Sequence, residues 1–510
     1  MNAGLTLIQM FDKTASRYPD KVAVCMNDEK VTYSCLQKWA MSIASEILNR
    51  GLETSKPVVI AMNKSPKCLA ALIGVLYSGR AYTILDVKSP IIRIEKILST
   101  LGSQLIIADA KGKKTCSESS IIDKDGILLV DDAIDQAINY EEISRIQKSV
   151  VDTDPAYVLF TSGSTGVPKG TVVGHRSVIA YTRAIVDTFS IDEFTVFGNQ
   201  TPFYFSMSVL DIFVTLYTGA TLVIIPKMLF SFPLRLFEYM RDNKVDTIYW
   251  VPTAMELVAD RNLFSQFDST FLKAVLFAGE PLPTKYLNIW KDALPEALFA
   301  NLYGPTEVTD TCTYYICNSK LDETSSIPIG KSFYNCDVFL LDDNNHKIST
   351  KSCDMGEICV RGSFLAYGYY NNFEQTQKAF VNNPVNRAYD ELIYRTGDLG
   401  KWGEDGNLIY CGRKDYQIKH LGYRIELGEI ENVIASVNGV NMVVVIYNDA
   451  KDEIAACFTG NTDEETFLAE ASGLLPTYMR PTKVLKYDSF PVNANGKIDR
   501  KAIKERLLEN

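Results

Sequence analysis

Apolar positions along the first 150 residues alternate between two patterns. Short continuous runs, Pro57-Val-Val-Ile-Ala61, Ala81-Tyr-Thr-Ile-Leu85, Gln104-Leu-Ile-Ile-Ala108 and Ile127-Leu-Leu-Val130, read as buried strands. Between them the spacing turns helical. Leu36, Trp39, Ile43 and Ile47 share a face, with Ser34 as the expected N-cap and Gly51 as the stop. Cys68 to Tyr77 reads as a helix ended by Gly79, and another follows Pro90. Strands alternating with helices imply parallel βαβ layers. The pattern continues with a strand over Ala156–Phe160, a helix over Ser177–Val186, a strand entering a helix over Asp246–Thr253, and a strand over Ala274–Glu280. From Gly356 to Asp398 strand and turn signals dominate. The last stretch, from about 416, alternates again with Met442–Ile446 and Glu453–Phe458.

The strand at Ala156–Phe160 runs into Thr161-Ser162-Gly163-Ser164-Thr165-Gly166-Val167-Pro168-Lys169-Gly170. Glycines let a backbone approach a ligand closely, successive N–H groups make an anion site, and Lys169 adds a point charge suited to phosphate. The spacing is not that of a Walker A loop, which has four residues between its glycines and ends Gly-Lys-Ser/Thr.

Composition narrows the options. A net charge of −10, with no long basic run, argues against nucleic acid as a partner. Eleven cysteines without a Cys-x-x-Cys pair and only three histidines, His175, His346 and His420, argue against zinc and for reduced thiols in the cytoplasm. His175, between loop and helix, is expected to be structural. The amino-terminal residues lack a basic n-region, and no run of about 18 apolar residues predicts membrane insertion.

The loop 161–170 resembles the phosphate-binding signature of the adenylate-forming superfamily: acyl-CoA synthetases, luciferases and amino-acid adenylation domains. Further segments follow in the family's order: Arg80-Ala-Tyr-Thr-Ile-Leu-Asp86, Asn301-Leu-Tyr303-Gly304-Pro305-Thr306-Glu307, Tyr394-Arg-Thr-Gly-Asp398, Gly412-Arg413-Lys414-Asp415, Gln417 to Glu431, and Pro491 to Lys501 with Gly496-Lys497. The resemblance implies a large α/β adenylation core over 1–414, carrying a β-rich subdomain, and a small mobile α+β domain over 415–510 that pivots at Asp415. It implies an enzyme that joins a carboxylate to the α-phosphorus of ATP. Thr161, Ser162, Gly163, Ser164, Thr165, Gly166 and Lys169 would hold phosphates. Asn301, Tyr303 and Gly304 would line the nucleotide site, and Asp398 with Arg413 would hold the ribose. Glu307, with Thr306 beside it, would bind Mg²⁺. Lys497 would bridge acid and phosphate during adenylation, then withdraw as the Lys419–Gly422 segment moves in for thiol transfer.

The substrate segment departs from the family. Phe205-Ser206-Met207-Ser208-Val209-Leu210-Asp211 resembles Phe-Asp-x-Ser-Val-x-Asp/Glu, whose second position binds the α-ammonium. Here it is Ser206, and a register two residues back gives Tyr204. Carried over by position, the pocket is Ser206, Met207, Leu210, Tyr249, Leu276, Ala278, Leu302, Asp310 and Thr311. Two readings stand: Asp310 recognises a displaced amine, or the acid has no α-ammonium, as in aryl-, hydroxy- or acyl-CoA ligases. The wording of 415–431 and 491–501 resembles the nonribosomal peptide synthetase and D-alanine ligase branch, which implies a phosphopantetheine carrier protein. With no carrier motif after residue 501 and no condensation domain before residue 1, the expected carrier acts in trans. The rival from another class is a non-catalytic nucleotide-binding regulator, expected to have lost Lys169, Glu307 or Lys497; all three are present.

Overall fold

The computed structural model describes residues 6–51, 53, 55–103, 105–121, 124–162, 167–260, 263–265, 267, 269–323, 325–414, 417–491 and 498–509. Two largely parallel sheets form the body. One runs, in spatial order, Lys331–Ser332, Thr313–Ile316, Leu298–Tyr303, Ala274–Phe277, Thr247–Trp250, Val196–Asn199, Thr221–Ile224, Val22–Met26 and Glu29–Thr32. The other runs Gly368–Tyr369, Lys169–Gly174, Pro155–Thr161, Tyr82–Ile84, Val58–Ala61, Ile106–Ala108 and Ile127–Leu129. The central strands of each pair in parallel, as the alternating pattern predicts. Helices Pro66–Tyr77 and Ser208–Thr218 are apolar nearly all round and almost wholly buried. A helix without a polar face must be covered on every side.

Helix Tyr33–Asn49 begins before the expected cap. The Thr32 hydroxyl, not that of Ser34, accepts from the Cys35 N–H at 3.2 Å. His175 opens helix His175–Phe189; its Nδ1 accepts from the Leu7 N–H at 3.2 Å, a structural role as expected.

The β-rich part is an antiparallel sheet of Cys336–Leu341, Gly356–Gly362, Leu392–Trp402, Phe380–Asn382 and Leu408–Arg413. Thr396-Gly397-Asp398, which reads as a turn, lies inside strand Leu392–Trp402. The turn preference survives as a bulge: Gly397 takes φ +72°, the register against Gly356–Gly362 shifts between Arg395 and Leu399, and the ladder resumes on either side.

Beyond residue 416 the chain builds a hairpin, Gln417–His420 with Tyr423–Glu426, and a sheet of Val440–Asn448, Glu453–Gly460 and Lys483–Lys486. This part has its own cores. Ile425, Ile430, Phe458 and Phe467 pack on one face of the sheet; Val444, Tyr487, Phe490 and Ile503 pack on the other. The expected pivot, Asp415, lies outside the described residues. No helix among the described residues is long and apolar enough to cross a membrane.

Candidate active site

The candidate residues gather beyond the carboxyl ends of parallel strands, where open α/β sheets bind ligands. Thr161 ends strand Pro155–Thr161, Ala278 follows Ala274–Phe277, and the turn Gly304-Pro305 follows Leu298–Tyr303. Gly304 is required by close approach: a Cβ there would lie 2.4 Å from the Thr311 Cα and 2.6 Å from the Asp310 carbonyl oxygen. Between these two, Thr309 sits at φ +76°, a strained conformation for a β-branched residue. Its hydroxyl donates to the Phe364 carbonyl at 2.8 Å, and its own carbonyl accepts from the Tyr157 hydroxyl at 3.1 Å. These bonds fix the bend that delivers Asp310.

A cavity of about 80 Å³ is lined by Thr161, Ser162, Ser206, Met207, Ala278, Gly304, Thr306, Asp310, Thr311, Asp398 and Arg413, among others. It unites five of the nine expected pocket residues. Leu210, Tyr249 and Leu276 stand behind its wall, fully buried, and Leu302 faces a second cavity of about 490 Å³. That second cavity also holds Asn301 and Tyr303, together with Gly279 and Pro281. The Asn301 amide N–H donates to the Pro328 carbonyl at 2.9 Å, leaving its carbonyl oxygen as an acceptor.

At Asp398 both oxygens are held: Arg413 Nη1 lies 2.5 Å from Oδ1, and the Tyr303 hydroxyl donates to Oδ2 at 2.5 Å. A carboxylate has about four lone-pair sites, so capacity for two sugar hydroxyls is left.

Asp310 is 2 % exposed. Its Oδ2 accepts from the Tyr181 hydroxyl at 2.6 Å and from the Tyr249 hydroxyl at 3.1 Å. Its Oδ1 has no hydrogen-bond partner among the described residues, and Asp310 lines the cavity. Burial pushes the carboxyl up to about 7, against the two tyrosine bonds and the positive charge of Lys419. Ser206, by contrast, bonds its neighbour: its hydroxyl lies 3.1 Å from that of Thr306.

Glu307 is wholly buried. Its Oε1 accepts from the Tyr369 hydroxyl at 2.6 Å, and its Oε2 lies 2.5 Å from Arg424 Nη1. Burial disfavours its charge, yet Arg424 and Lys169 outweigh that and hold the carboxyl down at about 2. The donor set suits a hard cation: one carboxylate, ionised at any physiological pH, beside the Thr306 hydroxyl. Among the described residues no group of three or more His, Cys, Asp or Glu could hold a metal by itself. A hard cation held here would need further oxygen ligands, of the kind a bound phosphate carries. The Thr161 hydroxyl is buried with no partner among the described residues, as a ligand-binding group would be. Gly163, Ser164, Thr165, Gly166 and Lys497 lie outside the described residues.

The small domain reaches into this site. Lys419 lines both cavities and a third of about 1020 Å³ that opens between the two domains. Its Nζ stands 5.4 Å from the centre of the Tyr303 ring, and burial lowers its basicity. Gly422, at φ +79°, donates its N–H to Glu280, and a Cβ there would meet Val251 Cγ1 at 2.8 Å. Arg93 of the large domain pairs with Glu429 of the small one. Sequence reasoning assigned no role to Tyr181, Arg424 or Glu426. The last two carried a signal: alternate residues on a strand share a face, and Arg424 and Glu426 are two apart on Tyr423–Glu426.

A family model described as "AMP-binding enzyme" matches residues 11–370. Tyrocidine synthase 1 of Brevibacillus parabrevis is 31% identical over 98% of this chain and 45% of its own length, so the chain spans less than half of that relative. Two solved structures share the fold. The Vibrio cholerae adenylation domain AlmE, in complex with glycyl-adenosine-5'-phosphate, has a TM-score of 0.84 at 22% identity, over 100% of this chain and 99% of its own. NpsA-ThdA, an artificially fused adenylation–PCP di-domain from Klebsiella oxytoca, has a TM-score of 0.82 at 22% identity, over 95% and 94%.

Proposed function

Given that the chain belongs to the AMP-binding enzyme family and is an AMP-forming ligase, we propose that it activates an amino acid and passes it to a carrier protein. The observation that carries the amino-acid reading is Asp310, buried, fixed through one oxygen by two tyrosines and open through the other to the cavity. An uncompensated buried carboxylate is costly, and an ammonium is its natural complement. Because Ser206 offers no charge, the amine is bound from the Asp310 wall rather than at the usual α-position.

In the first step an acid oxygen attacks the α-phosphorus of ATP, the new O–P bond forms, and the bond to pyrophosphate breaks. This is chiefly a problem of position and charge. Thr161, Ser162 and Lys169, with the rest of the loop, hold the phosphates. Asn301 and Tyr303 border the base, Asp398 and Arg413 orient the ribose, and Lys497 draws acid and phosphate together. Mg²⁺ bound through Glu307 would neutralise phosphate charge.

In the second step the carrier's phosphopantetheine thiolate attacks the acyl carbon; the C–S bond forms and AMP departs. Lys419 and Gly422 line the cavity, which supports reading the present pose as the one for that step. The carrier acts in trans on this reading. Loading of labelled acid onto a separately made carrier, in phosphopantetheinylated but not apo form, tests it.

Pyrophosphate exchange across matched amino and hydroxy acids tests the substrate class. A second reading, an acid without an amine, draws support from the uncharged Ser206. Equal exchange with the hydroxy partner would establish that reading and remove the first.

A further inference from the structure

The segment that lines the acid cavity has few tethers of its own. Tyr204, Phe205, Ser206 and Met207 all face the cavity that holds Asp310. They lie between the end of strand Val196–Asn199 and the start of helix Ser208–Thr218. The Phe205, Ser208, Val209 and Leu210 N–H groups donate only to nearby carbonyls, those of Pro202, Phe205, Ser206 and Met207. The Ser208 hydroxyl also turns inward, to the Phe203 and Phe205 carbonyls at 3.2 and 2.7 Å. Its outward bonds, at Tyr204 and Ser206, are made by side chains. With no neighbouring strand along it, the pose of this loop depends on where its two ends are fixed.

One relay fixes both ends. Lys64 precedes Ser65, the N-cap of the buried helix Pro66–Tyr77. An ammonium has three N–H donors. Here the Asn199 carbonyl, Asn199 Oδ1 and the Gln200 carbonyl receive them at 3.1, 2.9 and 2.8 Å. Asn199, wholly buried, then spans the loop: its Nδ2 donates to Asp211 Oδ2 on helix Ser208–Thr218 at 2.7 Å. Asp211 is wholly buried too, and its Oδ1 has no partner among the described residues. Burial pushes this carboxyl up to about 8, against the Asn199 bond and the positive charge of Lys64.

We propose that Lys64 is a positioning residue for acid recognition: through Asn199 and Asp211 it fixes both ends of the segment 200–207, and so sets where Ser206 and Met207 stand against Asp310. The assignment rests on reading this cavity as the acid site; the clamp itself does not depend on which acid enters.

The physical reason lies in the end of a sheet. Asn199 is the last paired residue of its strand, against Ile224 and Tyr249. A neutral apolar group at position 64 leaves Asn199 Oδ1 and the Gln200 carbonyl without a donor among the described residues. Bonds from a charged donor are also about twice as strong as neutral ones. With Asn199 free to turn, Asp211 loses the one side chain that holds it, and both anchors slacken together. Lys64, Asn199 and Asp211 do not line the cavity, so their effect on the acid passes through the segment. The groups read as nucleotide-binding hang from other elements: Asn301 and Tyr303 from strand Leu298–Tyr303, Asp398 from strand Leu392–Trp402. A loosened clamp therefore weakens the acid and leaves ATP alone.

The test pairs pyrophosphate exchange, using the acid that the wild type activates best, with amide hydrogen exchange over 202–211 in the full chain without ligands. Lys64→Met is expected to raise the acid KM about tenfold or more and to leave the ATP KM within about twofold. It should lose protection at the Phe205, Ser208 and Val209 amides while helix His175–Phe189 keeps its own. Lys64→Arg, which restores charged donors, is expected to recover most of both. Lys64→Met combined with Asp211→Leu should raise the acid KM no further than the larger single change, because both act through Asn199. Equal rises in the acid and ATP KM, or a fall in kcat alone, would overturn the proposal. So would unchanged protection in Lys64→Met. Should that variant not fold, Lys64→Gln, polar but uncharged and shorter, carries the same expectations and the same refutations. Failure of the functional reading looks different: no amino acid supports exchange in the wild type, while the position-64 variant still frees the segment.

Discussion

Asp310→Asn isolates the proposed amine contact. The substitution keeps size and both acceptor bonds from Tyr181 and Tyr249, and removes only the charge. A buried ammonium facing a neutral amide loses about 3–5 kcal/mol, or about 150- to 5,000-fold in kcat/KM for adenylation. A carboxyl that titrates at about 7 is about half protonated at neutral pH, which trims that loss by about twofold. The acid's own hydroxy analogue, which carries no ammonium, should lose much less. The assay is pyrophosphate exchange with both substrates across pH. For the amine substrate the wild-type kcat/KM should rise through about pH 7, as Asp310 gives up its proton in the free enzyme. The Asn variant should show no such limb. Stability carries the opposite sign. The folded carboxyl titrates above its unfolded value, so its contribution is complete below about 4 and fades as pH rises to about 7. The Asn variant should therefore gain on the wild type, in melting temperature, over that range. A loss below about tenfold, or equal losses for amine and hydroxy substrates, would refute the assignment of Asp310.

Three other outcomes are expected. Tyr181→Phe removes a bond that lowers the Asp310 titration, so the rising limb of kcat/KM should move to higher pH. Gly422→Ala must place a Cβ at φ +79° and 2.8 Å from Val251 Cγ1, a strain of about 1–2 kcal/mol. It should slow thiol transfer about 5- to 30-fold in single-turnover assays and leave pyrophosphate exchange near the wild-type rate. Lys497→Ala should abolish pyrophosphate exchange yet largely spare thiol transfer from a supplied acyl-adenylate.

The parallel layers were legible because continuous apolar runs and helical spacing are local properties. Val58–Ala61, Ile106–Ala108 and Thr247–Trp250 all lie where their sequences predict. Strand Leu392–Trp402 was not, since Thr396-Gly397-Asp398 favours a turn and is carried through the strand as a bulge at Gly397, with three neighbouring strands pairing along the rest. Asp310 was legible as a carboxylate that needs a partner. Tyr181 was hidden, being one buried aromatic among many on an amphipathic helix, 129 residues from the acid it holds. Arg424 and Glu426 read as ordinary charges on a small hairpin. Their meaning lies in contacts to residues more than 100 positions away, which no window of sequence contains.

Four aromatic rings, of Tyr204, Phe205, Tyr423 and Tyr478, line the cavity that holds Asp310. Tyr423 lies flat on Tyr478, the ring centres 3.7 Å apart and the planes within 4°. Phe205 leans on Tyr423 from the large domain, and the Tyr204 and Tyr423 hydroxyls lie 3.2 Å apart. An acyl-adenylate is a mixed anhydride that bulk water destroys. On the proposed function, this cluster of rings would shield a bound acyl-adenylate from water, and the cavities that share Lys419 would admit the thiol. Fidelity in such an enzyme then depends on how long the anhydride survives before its acceptor arrives, as well as on which acid enters.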